Sequence, residues 1–298
     1  MEPLRFEFQA MASRCEIAVA GADTVTATHA AAAAEAEVRR IETKYSRFRT
    51  DSVVGRINAD AHRQAVPLDA ETAALVEYAD RLNRSSGGLF DLTTGVLQTA
   101  WDFSKGRIPP RAELDRVLAH VGWRHVTRTE AGLRLDHPDV RIDFGGIGKE
   151  YAADRAADVL GALGIASGYV NLGGDIRTVG PKPDGSPWRF GIRHPRNENA
   201  LIASIPLASG ALATSGDYER YFERDGNRYC HVLSPVTGMP VDHWQSVSVL
   251  APLAVSAGAM STIAMLKQAD ALAFLSATGL SFLAIDRDGR IHTHKDTD

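Results

Sequence analysis

Only two cysteines, Cys15 and Cys230, occur in 298 residues, and they form no Cys-x-x-Cys pair, so neither a disulfide framework nor a thiolate zinc site organises this chain. Both are expected to be buried free thiols. Net charge is scarce as well: 33 Lys and Arg against 37 Asp and Glu leave a formal −4, with a pI near 6.2. No broad basic field exists to draw in nucleic acid or an anionic membrane, and an anionic ligand must be held by a specific site. Long apolar runs are missing too. The most biased stretch, residues 30–36, contains a glutamate within a helical pattern, and no window offers the ~20 apolar residues of a membrane span. The opening MEPLRFEFQAMASRCEIAVAG lacks the basic region and apolar core of an export signal, so a cytoplasmic protein is expected.

With 44% hydrophobic and 23% charged residues, the chain has the composition of a globular protein, and its length suits one large domain, expected to span residues 1–298. Residues 4–20 alternate as two short strands around AMAS. Residues 24–47 carry Ala, Ile and Val at helical spacing, and a second helix is expected over 69–84 with Asp69 near its N-cap. Between them DSVVGRIN, with its Ser and Gly, is expected to turn. The double proline at 109–110 precedes a helix near 112–120, and residues 123–141 suggest hairpin strands. A buried strand is expected over 140–144, then glycines, then a helix over 149–163. From Gly168 strands dominate, including a hairpin turning at Asp225-Gly226, before two helices over 254–268 and 269–278 and a last hairpin at Asp288-Gly289. This order predicts an α+β fold.

Four segments could carry chemistry. DFGGIGKEYAAD, from Asp143 to Asp154, places unobstructed backbone N–H groups at a helix N-terminus, where they and the helix dipole favour phosphate. It matches neither G-x-G-x-x-G nor a complete Walker lysine pattern, and a Gly-Gly strand end is often only a tight turn. NLGGD, at 171–175, is a second such pair and allows close backbone approach, or marks a sheet corner. In SGGLFDLTTG, Phe90 and Asp91 could line a ligand ring, or Asp91 could simply cap a helix. TSGDYERYF is followed by His231 in YCHVLSPVTG; histidine has the unperturbed pKa, ~6.5, suited to proton transfer, although a strand histidine is often structural. The remaining histidines show no H-E-x-x-H spacing, which argues against zinc chemistry.

Taken in order, FQAMASRCEI, YSRFRTDSVVGRIN, SGGLFDLTTGVL, DFGGIGKEYAADRAADVL, GYVNLGGDIRTVG, ATSGDYERYFERDGNRYCHVLSPVTGMPV and SVSVLAP resemble the FAD:protein FMN transferase family, often called ApbE, over about residues 7 to 267. The resemblance implies an α+β core with mixed or antiparallel sheets, flanking helices and a flavin cleft. It implies that Met11, Phe48, Leu89, Phe90, Asp91, Gly145, Tyr151 and Val232 surround FAD, with Asp143, Asp154, Asn171, Asp175 and Asp217 in support. It further implies that His231 is the base, and that Mg²⁺ is held by the backbone carbonyl of Gly148 and by Thr262. The implied reaction moves FMN from FAD onto a Thr or Ser of an acceptor flavoprotein, releasing AMP.

Departures from the family pattern cluster at the implied metal. The family's Asp-Ala-x-x-Thr stands here as Gly258-Ala259-Met260-Ser261-Thr262, Glu150 follows Lys149 where glycine is usual, and Ser234 and Val236 replace an Asp and a basic residue after His231. Hard cations favour anionic oxygen, so weaker Mg²⁺ binding or another ligand is expected, and Gly258→Asp should tighten it. Two alternatives stay open: a catalytically silent FAD-binding carrier or regulator, and a Mg²⁺-dependent FAD pyrophosphatase giving FMN and AMP. Asp91-Leu-Thr-Thr-Gly-Val-Leu begins like the family's acceptor motif but fails at its end, so the acceptor is expected to be another chain.

Overall fold

Strand alternation at the N-terminus closes into a hairpin, β1 (Leu4–Ala10) and β2 (Ser13–Val19), in a computed structural model that describes residues 2–294. The corner residues Met11 and Ala12 both have positive φ, 52° and 56°. That is the conformation a two-residue hairpin turn demands, here imposed on side chains that do not favour it. Three helices follow: α1 (Thr24–Tyr45), α2 (Val53–Asp60) and α3 (Ala70–Ser86), capped by the side chains of Asp23, Ser52 and Asp69 respectively. Each cap satisfies amides the helix leaves free and contributes about 1 kcal/mol. Helix α2 replaces the turn expected from DSVVGRIN. Its glycine answers packing: a Cβ at Gly55 would lie 2.1 Å from the Arg49 carbonyl oxygen.

Next come α4 (Arg111–Leu118) and a small ribbon, β3 (Val126–Thr129) with β4 (Gly132–Leu135). The strand expected over 140–144 does not form. Val140, Ile142 and Phe144 are buried as a strand would bury them. However, the backbone of Ile142 bonds the side-chain amide of Asn58 in both directions and Asp143 donates its N–H to Leu92, so no neighbouring strand completes a ladder. Helix α5 (Gly148–Ala162) starts directly after this segment.

The remainder supplies the rest of the main sheet and two separate ribbons, β7–β8 and β10–β11: β5 (Gly168–Leu172), β6 (Asp175–Gly180), β7 (Trp188–His194), β8 (Asn197–Leu207), β9 (Ala211–Gly216), β10 (Tyr221–Arg224), β11 (Asn227–Cys230) and β12 (Trp244–Ala251). After α6 (Ala254–Lys267) and α7 (Ala271–Thr278), β13 (Phe282–Asp286) and β14 (Ile291–His294) end the described chain. Eight strands pair antiparallel in the order β1-β2-β5-β6-β9-β12-β13-β14. One face carries α5 and α6, with α1 laid on α5. Ala27, Ala30, Ala31 and Ala34 of α1 and Ala152, Ala153, Ala156 and Ala157 of α5 are all buried, and these short side chains let the helices approach closely. The other face is covered by the β7–β8 ribbon, whose Trp188 and Phe190 meet the Tyr169 ring edge-on at 5.0 Å. The expected α+β architecture is observed. Both cysteines are free and buried, and no helix among the described residues is long and apolar enough to cross a membrane.

Candidate active site

The two glycine pairs, distant in sequence, meet through Lys149. Its ammonium bonds the carboxylate of Asp175 at 2.8 Å, and a Cβ on Gly173 would lie 3.5 Å from the Lys149 Nζ and 2.7 Å from the Ser13 hydroxyl. Gly173 also has φ of 61°, so both its conformation and its neighbours exclude a side chain. Asn171 fixes the turn by accepting the Gly174 N–H at 2.9 Å. Burial alone would lower the Lys149 pKa, but the opposed charges of Asp175 and Glu150 outweigh it and hold the ammonium protonated. A fixed positive charge therefore sits where the first turn of α5 opens.

The other side of that opening is aromatic. Phe90 is buried with its ring against Gly146, where an added Cβ would come within 3.3 Å of two ring carbons. Asp91 caps the 3₁₀ segment Leu92–Thr99, accepting from the N–H and hydroxyl of Thr93 and from the Asn83 amide. Helix capping, one of its two readings from sequence, is observed. Gly145 donates its N–H to Asp143, which pairs with Arg47, and the Arg47 guanidinium lies 4.6 Å from the centre of the Phe48 ring. Phe48 itself is 84% exposed. Met11 donates its N–H to Glu42, and Leu89 and Val232 pack on one cluster near α6 and β12. Tyr151 faces elsewhere: its hydroxyl bonds Glu71 at 2.9 Å, in a cleft of about 550 Å³ also lined by Arg40, Tyr78, Arg155 and Val255. The resemblance implies that these residues surround one ligand; the structure sets the Tyr151 hydroxyl in this cleft.

His231 follows β11 with its backbone N–H on the Arg220 carbonyl. Its Nδ1 is buried without a hydrogen-bond partner. Burial, with the positive charges of Arg220 and Lys149, pushes its pKa down to about 4. The imidazole is therefore neutral near pH 7 and has an unspent nitrogen, both of which a proton acceptor needs. Ser234, three residues on, takes the Val236 and Thr237 N–H groups on its hydroxyl at 3.3 Å, so it organises the SPVTG turn.

Around α6 the polar groups converge. Thr262 and Ser261 both bond the Ser215 hydroxyl of β9, at 3.0 and 2.8 Å. Asp154 of α5 accepts the N–H groups of Ala254 and Val255, capping α6 from a neighbouring helix, and lies 3.2 Å from Arg177. Between α5 and α6, Glu150 is buried, and burial followed by the nearby Asp175 pushes its pKa up to about 8. Its Oε2 has no partner. Sequence reasoning registered Glu150 only as a departure and missed Ser215; the TSGD segment was the available signal for the latter. The histidine spacing also missed a surface group, His120, His137 and Asp139, whose donor atoms lie within 4.8 Å of one another.

The sequence model of the ApbE family matches residues 11–283. The chain is 31% identical over 294 residues to the FAD:protein FMN transferase of Salmonella typhimurium, covering 95% of this chain and 84% of that protein. It is 32% identical over 254 residues to the protein of the same name from Haemophilus influenzae, covering 81% and 73%. Among solved structures it superposes on the ApbE protein of Thermotoga maritima with a TM-score of 0.92 at 33% identity, over 99% of this chain and 97% of that one. The flavin transferase ApbE of Vibrio cholerae gives 0.87 at 28% identity, over 99% and 98%. Family segments, site geometry and whole-chain likeness coincide, and the chain belongs to the ApbE family.

Proposed function

We propose that this chain, as one domain, is an FAD:protein FMN transferase, which moves FMN from FAD onto a Thr or Ser hydroxyl of an acceptor flavoprotein and releases AMP. One observation supports the chemistry: His231 keeps a buried Nδ1 with no hydrogen-bond partner, and burial, ahead of the charges of Arg220 and Lys149, holds its ring neutral. In the reaction the acceptor oxygen forms a bond to the FMN phosphorus, the bridging P–O bond breaks toward AMP, and His231 takes the hydroxyl proton. Lys149, at the positive end of the α5 dipole, binds and orients the negatively charged pyrophosphate. Gly145 with Gly146, Phe90, Leu89 and Val232 form the walls available to the flavin half, with Phe48 and Met11 at its edge.

The residues fit a divalent cation. Thr262 holds its hydroxyl in a part-buried oxygen cluster with Ser215, Gly148 opens the facing helix, and an orphaned carboxylate oxygen of Glu150 lies between the two helices. Mg²⁺ bound by the Gly148 carbonyl and the Thr262 hydroxyl would neutralise pyrophosphate charge as it develops.

Incubation with FAD and Mg²⁺, with and without a candidate acceptor protein, tests the reading through AMP release and flavin fluorescence on the acceptor. AMP that requires the acceptor is expected. AMP without acceptor would indicate hydrolysis, and tight FAD binding without AMP a carrier; either overturns the transferase.

A further inference from the structure

The absence of a carboxylate at position 258 and the presence of one at position 150 occupy the same space. A Cβ built on Gly258 would lie 2.5 Å from Cγ, 2.9 Å from Cδ and 2.7 Å from Oε1 of Glu150. No side chain of any kind fits at 258 while Glu150 keeps this position, since real Cβ atoms do not approach so closely. Glu150 thus fills the volume that a side chain on α6 would otherwise take.

We propose that Glu150 is the anionic ligand of the divalent cation, delivered from α5 in place of a carboxylate on α6. This rests on the reading that Gly148 and Thr262 hold the metal. Glu150 lies two residues after Gly148, in the first turn of α5, and Gly258 lies one helical turn before Thr262. A carboxylate lodged against Gly258 is therefore within one helical turn of Thr262 along α6 and of Gly148 along α5. It is also available: Glu150 is only 8% exposed, its Oε2 is buried without a hydrogen-bond partner, and the neighbouring Lys149 is paired with Asp175. Buried carboxylates without partners are costly and are ordinarily matched by an ion pair or a metal. Hard cations want such oxygen, which neither a backbone carbonyl nor a threonine hydroxyl supplies with charge. The two positions are a single exchange, and Gly258 is the residue that makes room for it. The expectation that Gly258→Asp alone would tighten Mg²⁺ is accordingly reversed: that side chain collides with Glu150.

Mn²⁺ binding to the full chain, followed by the EPR signal of free Mn²⁺ in the presence of FAD, tests the assignment without relying on turnover. Glu150→Gln should weaken Mn²⁺ by at least about tenfold while FAD affinity without metal is retained. Gly258→Asp alone should not tighten it, and the double variant Glu150→Gly with Gly258→Asp should recover binding lost in Glu150→Gly. If Thr262→Val weakens Mn²⁺ but Glu150→Gln does not, the assignment of Glu150 fails while the metal site stands. If wild-type protein binds no Mn²⁺, or Thr262→Val has no effect, the metal site itself fails and Glu150 with it. A double variant no better than Glu150→Gly would also overturn the exchange.

Discussion

Asp154 and Ala254 join two helices end to side: the Asp154 carboxylate accepts the Ala254 N–H at 2.8 Å and the Val255 N–H at 2.9 Å, closing the first turn of α6 with a side chain from α5. Leu253, at the N-cap position, has no side chain able to do this. Asp154→Ala should cost about 2–4 kcal/mol, because it strands two buried amides and the Arg177 charge together. Urea denaturation measures it. A loss below about 0.5 kcal/mol would mean that the cap is dispensable.

His231→Ala should abolish flavin attachment while FAD still binds; an active variant would remove His231 as the base. Its depressed pKa adds a pH signature. The base acts when neutral, so with burial, then Arg220 and Lys149, holding protonation down to about pH 4, kcat/KM for FAD should stay flat as pH falls from 7 through 6.5 to 5. An acid limb centred near pH 6.5 that disappears in a His231 variant would contradict the burial described here.

Phe48→Ala should separate binding from stability. The ring is 84% exposed and touches little beyond Arg47, so its removal should leave the melting temperature unchanged. If flavin covers it, FAD affinity should fall by about fivefold, equivalent to about 1 kcal/mol. Calorimetric titration of both proteins decides this, and equal affinities would remove Phe48 from the flavin site.

Glu71 anchors α3 to α1 and α5 and should shape acid unfolding. Hydrogen bonds from Arg40, opposed by burial and reinforced by Lys44 and Tyr151, pull its pKa down to about 2 from 4.5. Its stabilisation is complete above pH 4.5 and is lost as pH falls toward 2, since the unfolded chain takes up the proton first. Discounted for the 43% exposure of the Arg40 side chain, this amounts to about 1–2 kcal/mol. Glu71→Gln should flatten the stability profile between pH 5 and 2, measured by urea midpoints; an unchanged slope would count against the network.

Much of the fold was legible locally. The Asp69 cap, the helical spacing of α1 and the Asp225-Gly226 hairpin act over a few residues, so adjacent side chains suffice to specify them. Segments 53–60 and 140–144 were misread because distant partners decided them. Gly55 reads as a turn residue until the Arg49 carbonyl is seen against it, and the run at 140–144 reads as a strand although Asn58 and Leu92 satisfy part of its backbone. Tertiary contacts override such local preferences.

The site divides in the same way. The sequence named His231 and the glycine pairs, because each is a short run whose chemistry travels with its residue types, but gave Lys149 no role. Residue order could not show that Lys149 joins the two glycine pairs through Asp175, or that Ser215 holds Thr262. Nor could it relate Glu150 to Gly258, which appear as two unconnected departures 108 positions apart. Only the packing of α5 on α6 makes them neighbours, since two atoms cannot share one volume: a carboxylate arriving from one helix requires a glycine on the other.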